Sequence, residues 1–135
     1  MIDLRGKRVF VVEDNLENRI ITRLALIKTG VMLEFDIWGR ETVRHVIRFA
    51  PVDLIILDLM MPGGLTGYQL YDAIRAMPEL AVVPVAAVSA SDAGEAIQRC
   101  RARGFAGYIA KPIDDELFPE QIGRLINREQ VWHAG

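Results

Sequence analysis

Five polar residues stand where the chain has just been strongly apolar. Glu13 and Asp14 follow VFVV (9–12), Asp58 follows LIIL (54–57), Ser89 follows VAAV (85–88) and Lys111 follows GYIA (107–110). A carboxylate at the end of an apolar strand is costly unless something pairs with it. Three carboxylates brought within a few ångströms repel by roughly 4 kcal/mol per close pair at an effective dielectric of ~20. One lysine cannot offset all of that, so either a carboxyl holds a proton or a cation binds. Oxygen ligands on an open, wet rim suit Mg2+, which takes only one or two carboxylates and keeps several waters. The same arrangement suits phosphoryl chemistry. A metal and a lysine neutralise phosphoryl oxygens while a carboxylate acts as nucleophile.

The elements around these residues alternate. Short β-branched runs at 7–13, 32–38, 52–57, 82–89 and 106–110 are separated by stretches with helical periodicity. In 16–29, Leu16, Ile20, Ile21, Leu24 and Ile27 share a helix face, and Gly30 is placed to stop it. Val43, Val46 and Ile47 do the same in 40–50. Thr66 can cap a helix through Met77 whose apolar content is Tyr68, Leu70, Tyr71 and Ile74. Ser91 or Asp92 can cap another, ended by Gly104. A last helix starts near 116–118, because Pro119 is tolerated only in a first turn, and runs to about Arg128.

Five βα units imply a doubly wound parallel sheet with helices on both faces, in one domain with its core at about 7–128 and a tail at 129–135. The runs at 52–57 and 82–88 are apolar on both faces, as central strands should be, whereas Glu34 and Asp36 mark 32–38 as an edge. In such a sheet every strand ends on the same rim. Singly, an acidic pair before a helix is a cap, a serine is a turn residue and a lysine is surface. Their joint arrival at corresponding strand ends is not explained by capping.

Composition excludes several classes. The chain has 135 residues, 51% apolar and 25% charged, with a net charge of −2, so no basic field points to nucleic acid or an anionic membrane. No apolar stretch reaches the ~20 residues of a membrane span, and MIDLRGKR lacks a signal peptide's apolar segment. A single cysteine forms no internal disulfide, and a cytoplasmic home is expected.

VVEDN (11–15), ILDLMMP (56–62), VSA (88–90) and GYIAKP (107–112), at these intervals, resemble the response-regulator receiver domains of two-component signalling, of the stand-alone type. The resemblance implies a flavodoxin-like five-stranded sheet in the order 2-1-3-4-5, flanked by five helices. It implies that Asp58 is the phosphoacceptor, served by a histidine kinase or phosphotransfer protein. Mg2+ would be held by Asp14 more directly, by Glu13 partly through water, by Asp58 and by the Met60 carbonyl. Ser89 would hydrogen-bond the phosphoryl group beside the small Ala90, and Lys111 would pair with a phosphoryl oxygen. Tyr108 would turn inward as Ser89 moves, and Pro112 would follow a cis peptide bond. Output would be altered protein binding, or a homodimer, through the face of the fourth helix, fifth strand and fifth helix. Only self-phosphotransfer and autodephosphorylation are expected as chemistry.

Three positions depart from the family pattern: Glu13 opens the acidic pair, Ser89 replaces the commoner threonine, and MPGGLTG (61–67) is one residue longer. A binding module that is never phosphorylated is the alternative, opposed by the joint presence of Asp14, Asp58, Ser89 and Lys111. An aspartyl-phosphate phosphatase would need a second acid two residues after the nucleophile, where Met60 stands. Elsewhere, His45 is expected to face solvent, His133 to lie in a frayed tail and Cys100 to be a small core residue. Trp132 either packs back on the domain or contacts a partner.

Overall fold

The computed structural model describes residues 2–135. Its apolar runs form β1 (Arg8–Val12), β2 (Met32–Asp36), β3 (Leu54–Leu57), β4 (Val85–Ser89) and β5 (Gly107–Ala110), and a further strand, β6 (Val131–His133), follows. All pair in parallel in the order β2-β1-β3-β4-β5-β6. The expected order is present, and the sheet has one strand more than expected. Every residue of β3 and β4 is buried, as their two-faced apolar character requires.

Strand alternation divides the core in two. Phe10, Val12, Ile55, Leu57, Val85 and Tyr108 meet α2 (Thr42–Arg48), α3 (Gly67–Arg75) and α4 (Ala93–Arg103) through Val46, Leu70, Ile74 and Cys100. On the other face Val9, Val11, Leu54, Ile56 and Ile109 meet α1 (Leu16–Leu26) and α5 (Phe118–Ile126) through Leu26, Phe118, Ile122 and Leu125. Burial pushes the Cys100 thiol up to about 11, consistent with an inert core residue.

Local signals place the helix ends. Thr66 and Gln69 form a capping box on α3, and Asp92 caps α4 by accepting from the Glu95 amide. Gly104 closes α4 at φ 100°. Pro119 sits in the first turn of α5, which starts at Phe118 as its position predicts.

One apolar helix face finds its place only in the structure, and two expectations fail. The face shared by Leu16, Ile20, Leu24 and Ile27 does not enter the core: these side chains are 50–70% exposed, because α1 packs through Thr22, Ala25 and Leu26 instead. The tail does not fray, since residues 131–133 join the sheet beside β5, within the face of the fourth helix, fifth strand and fifth helix expected to meet a partner or second copy. Trp132 packs back on the domain, beneath the Arg101 guanidinium at 4.7 Å.

His45, the second of these, is turned toward β2 rather than to solvent. Its Nδ1 lies 3.0 Å from Asp36 Oδ2 and its Nε2 2.9 Å from Glu34 Oε2, with the ring edge-on to Phe10. Both nitrogens donate only in the imidazolium form. The hydrogen bond to Glu34, and then that to Asp36, outweigh burial and raise the His45 pKa above 6.5. This stabilisation is complete below 6.5 and is lost as pH rises through the raised folded-state value. His45→Ala should cost about 1 kcal/mol on the acid side of that window and little above it. Melting temperature against pH checks this; equal slopes in parent and variant would show that the clamp contributes nothing.

Candidate functional site

The sheet ladder continues past the strand ends, and that continuation positions the site. The amide of Glu13 donates to the Asp36 carbonyl at 3.0 Å, that of Asp58 to Val12 at 3.3 Å and that of Lys111 to Ser89 at 2.9 Å. Each functional side chain therefore springs from backbone already held in register on one rim.

Asp58 is bonded from three directions. Ser89 Oγ donates to Oδ1 at 2.8 Å, the Met60 amide donates to Oδ1 at 3.1 Å, and Lys111 Nζ donates to Oδ2 at 2.7 Å. The same ammonium donates to Glu13 Oε1 at 2.5 Å. Glu13, Asp58 and Ser89 are all buried. Burial opposes the charge on Lys111, but its bonds to Asp58 and Glu13 outweigh that and hold its pKa above the ordinary 10.5. Asp14 is exposed, and no side-chain bond to it is found among the described residues. Among those residues no three His, Cys, Asp or Glu side chains converge as a metal cluster.

Two glycine features shape the rim. Gly63 and Gly64 take φ 75° and 77°, and an antiparallel bridge from Met60 to Thr66 closes the lengthened loop. At Gly67 a Cβ would overlap the Asp58 carbonyl oxygen, so only glycine lets α3 begin against the end of β3. A cleft of about 180 Å³ runs from Glu13, Asp58 and Lys111 to Ile21, Ile113 and Phe118, between α1 and the β5–α5 connection.

Tyr108 was expected to turn inward when Ser89 moves, and in the structure it is inward. Its ring is fully buried, and its hydroxyl donates to the Ser89 and Ser91 carbonyls at 3.1 and 3.0 Å. The peptide bond before Pro112 is cis, as the resemblance implies. His45, Cys100 and His133 stand outside the site. Sequence reasoning missed the Met60 amide, which carries no side-chain signal. It also missed Ser91, whose hydroxyl donates to Ser89 Oγ at 3.2 Å.

The profile of the family described as "Response regulator receiver domain" matches residues 9–123. The chain is a response regulator receiver domain. The receiver is 32% identical over 114 residues to the two-component response regulator ORR12 of Oryza sativa subsp. japonica, covering 82% of this chain and 90% of that protein. It spans only 51% of other rice two-component response regulators that it matches. Among solved structures it resembles the chemotaxis response regulator CheY4 of Vibrio cholerae, with a TM-score of 0.77, 26% identity and coverage of 88% and 98% of the two chains. It also resembles the receiver domain of sensor histidine kinase PA1611 from Pseudomonas aeruginosa, whose structure has a magnesium ion in its active-site cleft. That likeness has a TM-score of 0.78, 28% identity and coverage of 90% and 98%. No helix among the described residues is long and apolar enough to cross a membrane.

The shared ammonium makes a stability test. Lys111→Met leaves Glu13 and Asp58 buried without their cation and should cost about 3–5 kcal/mol. Urea unfolding measures it; a loss below about 1 kcal/mol, the level of an exposed pair, would show that the triad is not a buried charge centre.

Proposed function

We propose that this receiver accepts a phosphoryl group on Asp58 with Mg2+, from the phosphohistidine of a histidine kinase or phosphotransfer protein, and changes its protein binding in response. The observation that carries this is the fixed Asp58 carboxylate, held by Ser89, Lys111 and the Met60 amide at the rim. An Asp58 oxygen attacks phosphorus, the P–N bond to the donor imidazole breaks, and the leaving nitrogen keeps its electron pair. The product is an acyl phosphate. Lys111 neutralises phosphoryl oxygens, and the Ser89 hydroxyl moves from the carboxylate to one of them.

An oxygen-only donor set at an accessible rim fits a hard divalent cation that retains waters. Glu13, Asp14, Asp58 and the Met60 carbonyl would hold Mg2+, and the metal would supply positive charge to the phosphoryl oxygens. The magnesium in the cleft of the PA1611 receiver supports this assignment. The exposed apolar stripe of α1, beginning two residues after Asp14, offers the donor protein a contact surface beside the site. Output runs through Ser89, whose carbonyl accepts from Tyr108. The α4–β5–α5 side, as covered by β6, faces the downstream protein.

Incubation with Mg2+ and a small acyl-phosphate donor should add one phosphoryl group to the parent and none to Asp58→Asn, read by intact mass. Full labelling of Asp58→Asn would place the acceptor elsewhere, and multiple turnover of a phosphate ester would mean a phosphatase. Ser89→Ala should still be labelled yet lose the phosphate-dependent change in partner affinity. Mg2+ at ~100 times its dissociation constant should add about 2.7 kcal/mol of stability. A melting temperature indifferent to Mg2+ would remove the metal from the proposal.

A further inference from the structure

β6 is seated in a groove whose shape is specific. Val131 is buried on the α5 side of the sheet among Ile109 and Leu125, while Trp132 lies on the α4 side under Arg101. Gly107, opposite Val131 in register, leaves the space: a Cβ there would overlap the Val131 carbonyl oxygen. The groove thus takes an extended segment parallel to β5, with a branched apolar residue followed by an aromatic one.

The segment is anchored mainly ahead of the strand, where Arg128 donates to the Val82 carbonyl at 2.9 Å, Arg124 pairs with Glu129 at 3.4 Å and the Val131 amide donates to the Ala106 carbonyl at 3.2 Å; the strand itself is short. Three residues pair, and they are joined to α5 through Arg128, a non-glycine residue at φ 65°. Nδ1 of His133 is buried with no hydrogen-bond partner among the described residues, which opposes docking. The indole N–H of Trp132 bonds within the segment itself, to Gln130 Oε1 at 3.1 Å, and not to the domain.

We propose that β6 is an exchangeable strand and that the β5 edge beneath it is a peptide-binding groove, open to a partner's extended segment carrying the same apolar–aromatic pair. Main-chain bonds to β5 supply the pairing, and the two opposed side-chain pockets supply selectivity. The chain's own tail is the resident competitor, so apparent affinity for a partner scales with the fraction of molecules in which β6 has left. The cation–π seat under Arg101 favours an aromatic residue at the second position.

Two measurements on the full chain test this. In the unmodified protein, amides of 131–133 should exchange with deuterium about 100-fold or more faster than those of 54–57, reflecting local opening. Exchange as slow as in 54–57 would make β6 a permanent strand and overturn the proposal by itself, whatever the variants do. The second uses a labelled peptide of the chain's own residues 128–135, REQVWHAG, followed by fluorescence anisotropy. Val131→Asp, which weakens the resident strand, should bind it about tenfold or more tightly than the parent. Gly107→Val, which fills the groove, should not bind it. Val131→Asp binding no better than the parent, or Gly107→Val binding equally well, would overturn the proposal.

Discussion

The site rests on one ammonium group. Lys111 reaches from the end of β5, past β4, to carboxylates that follow β1 and β3, and it touches both. Two buried like charges at close range repel by roughly 4 kcal/mol at an effective dielectric of ~20, and the ammonium offsets that repulsion by adding two attractions of at least similar size. Desolvation works against all three groups, so the arrangement holds only while each charge keeps its partners. The consequence for chemistry is positional. With Lys111 on one oxygen and Ser89 and the Met60 amide on the other, Asp58 has little freedom left, and the nucleophilic role proposed for it would gain from that fixed position, which lowers the entropic cost of attack.

That geometry needs the parallel sheet, and the sheet needs its register. Neighbouring strands lie about 4.8 Å apart, so side chains leaving adjacent strand ends meet without long reaches. A slip of one residue would send each side chain to the opposite face. Leu57 packs with α2 and α3 while Ile56 packs with α1 and α5, and the two commitments fix where Asp58 emerges. Gly67 completes the constraint from outside, since α3 can press on the end of β3 only where no Cβ intervenes.

Strand order and the meeting of Glu13, Asp58, Ser89 and Lys111 on one rim were legible because they depend on alternation and on which residue follows each apolar run. What was not legible depends on contacts between distant segments. The periodicity of α1 reveals an apolar face but not its neighbour, and Thr22, Ala25 and Leu26 are the side chains that meet the sheet and α5. Alternating Glu34 and Asp36 mark an edge strand correctly, yet their partner His45 lies on the next helix and its imidazole bridges both. The tail offers three strand residues, too few for a period, and its docking follows from an absent side chain at Gly107.

The two edges of the sheet are closed by different physics. At β2 a charged clamp of His45, Glu34 and Asp36 guards the strand, and charge on an edge discourages further pairing. At the other end a three-residue strand covers β5, held by one buried valine and one half-buried tryptophan. Between them lie β3 and β4, buried throughout, where any rearrangement exposes fully packed side chains. A shift of Ser89 reaches Tyr108 first, through the hydroxyl bonded to the Ser89 and Ser91 carbonyls. Tyr108 faces Trp132 in the register of β5 and β6. A displacement along that line would end at a three-residue edge strand, where local opening costs less than disturbing the sheet's buried centre.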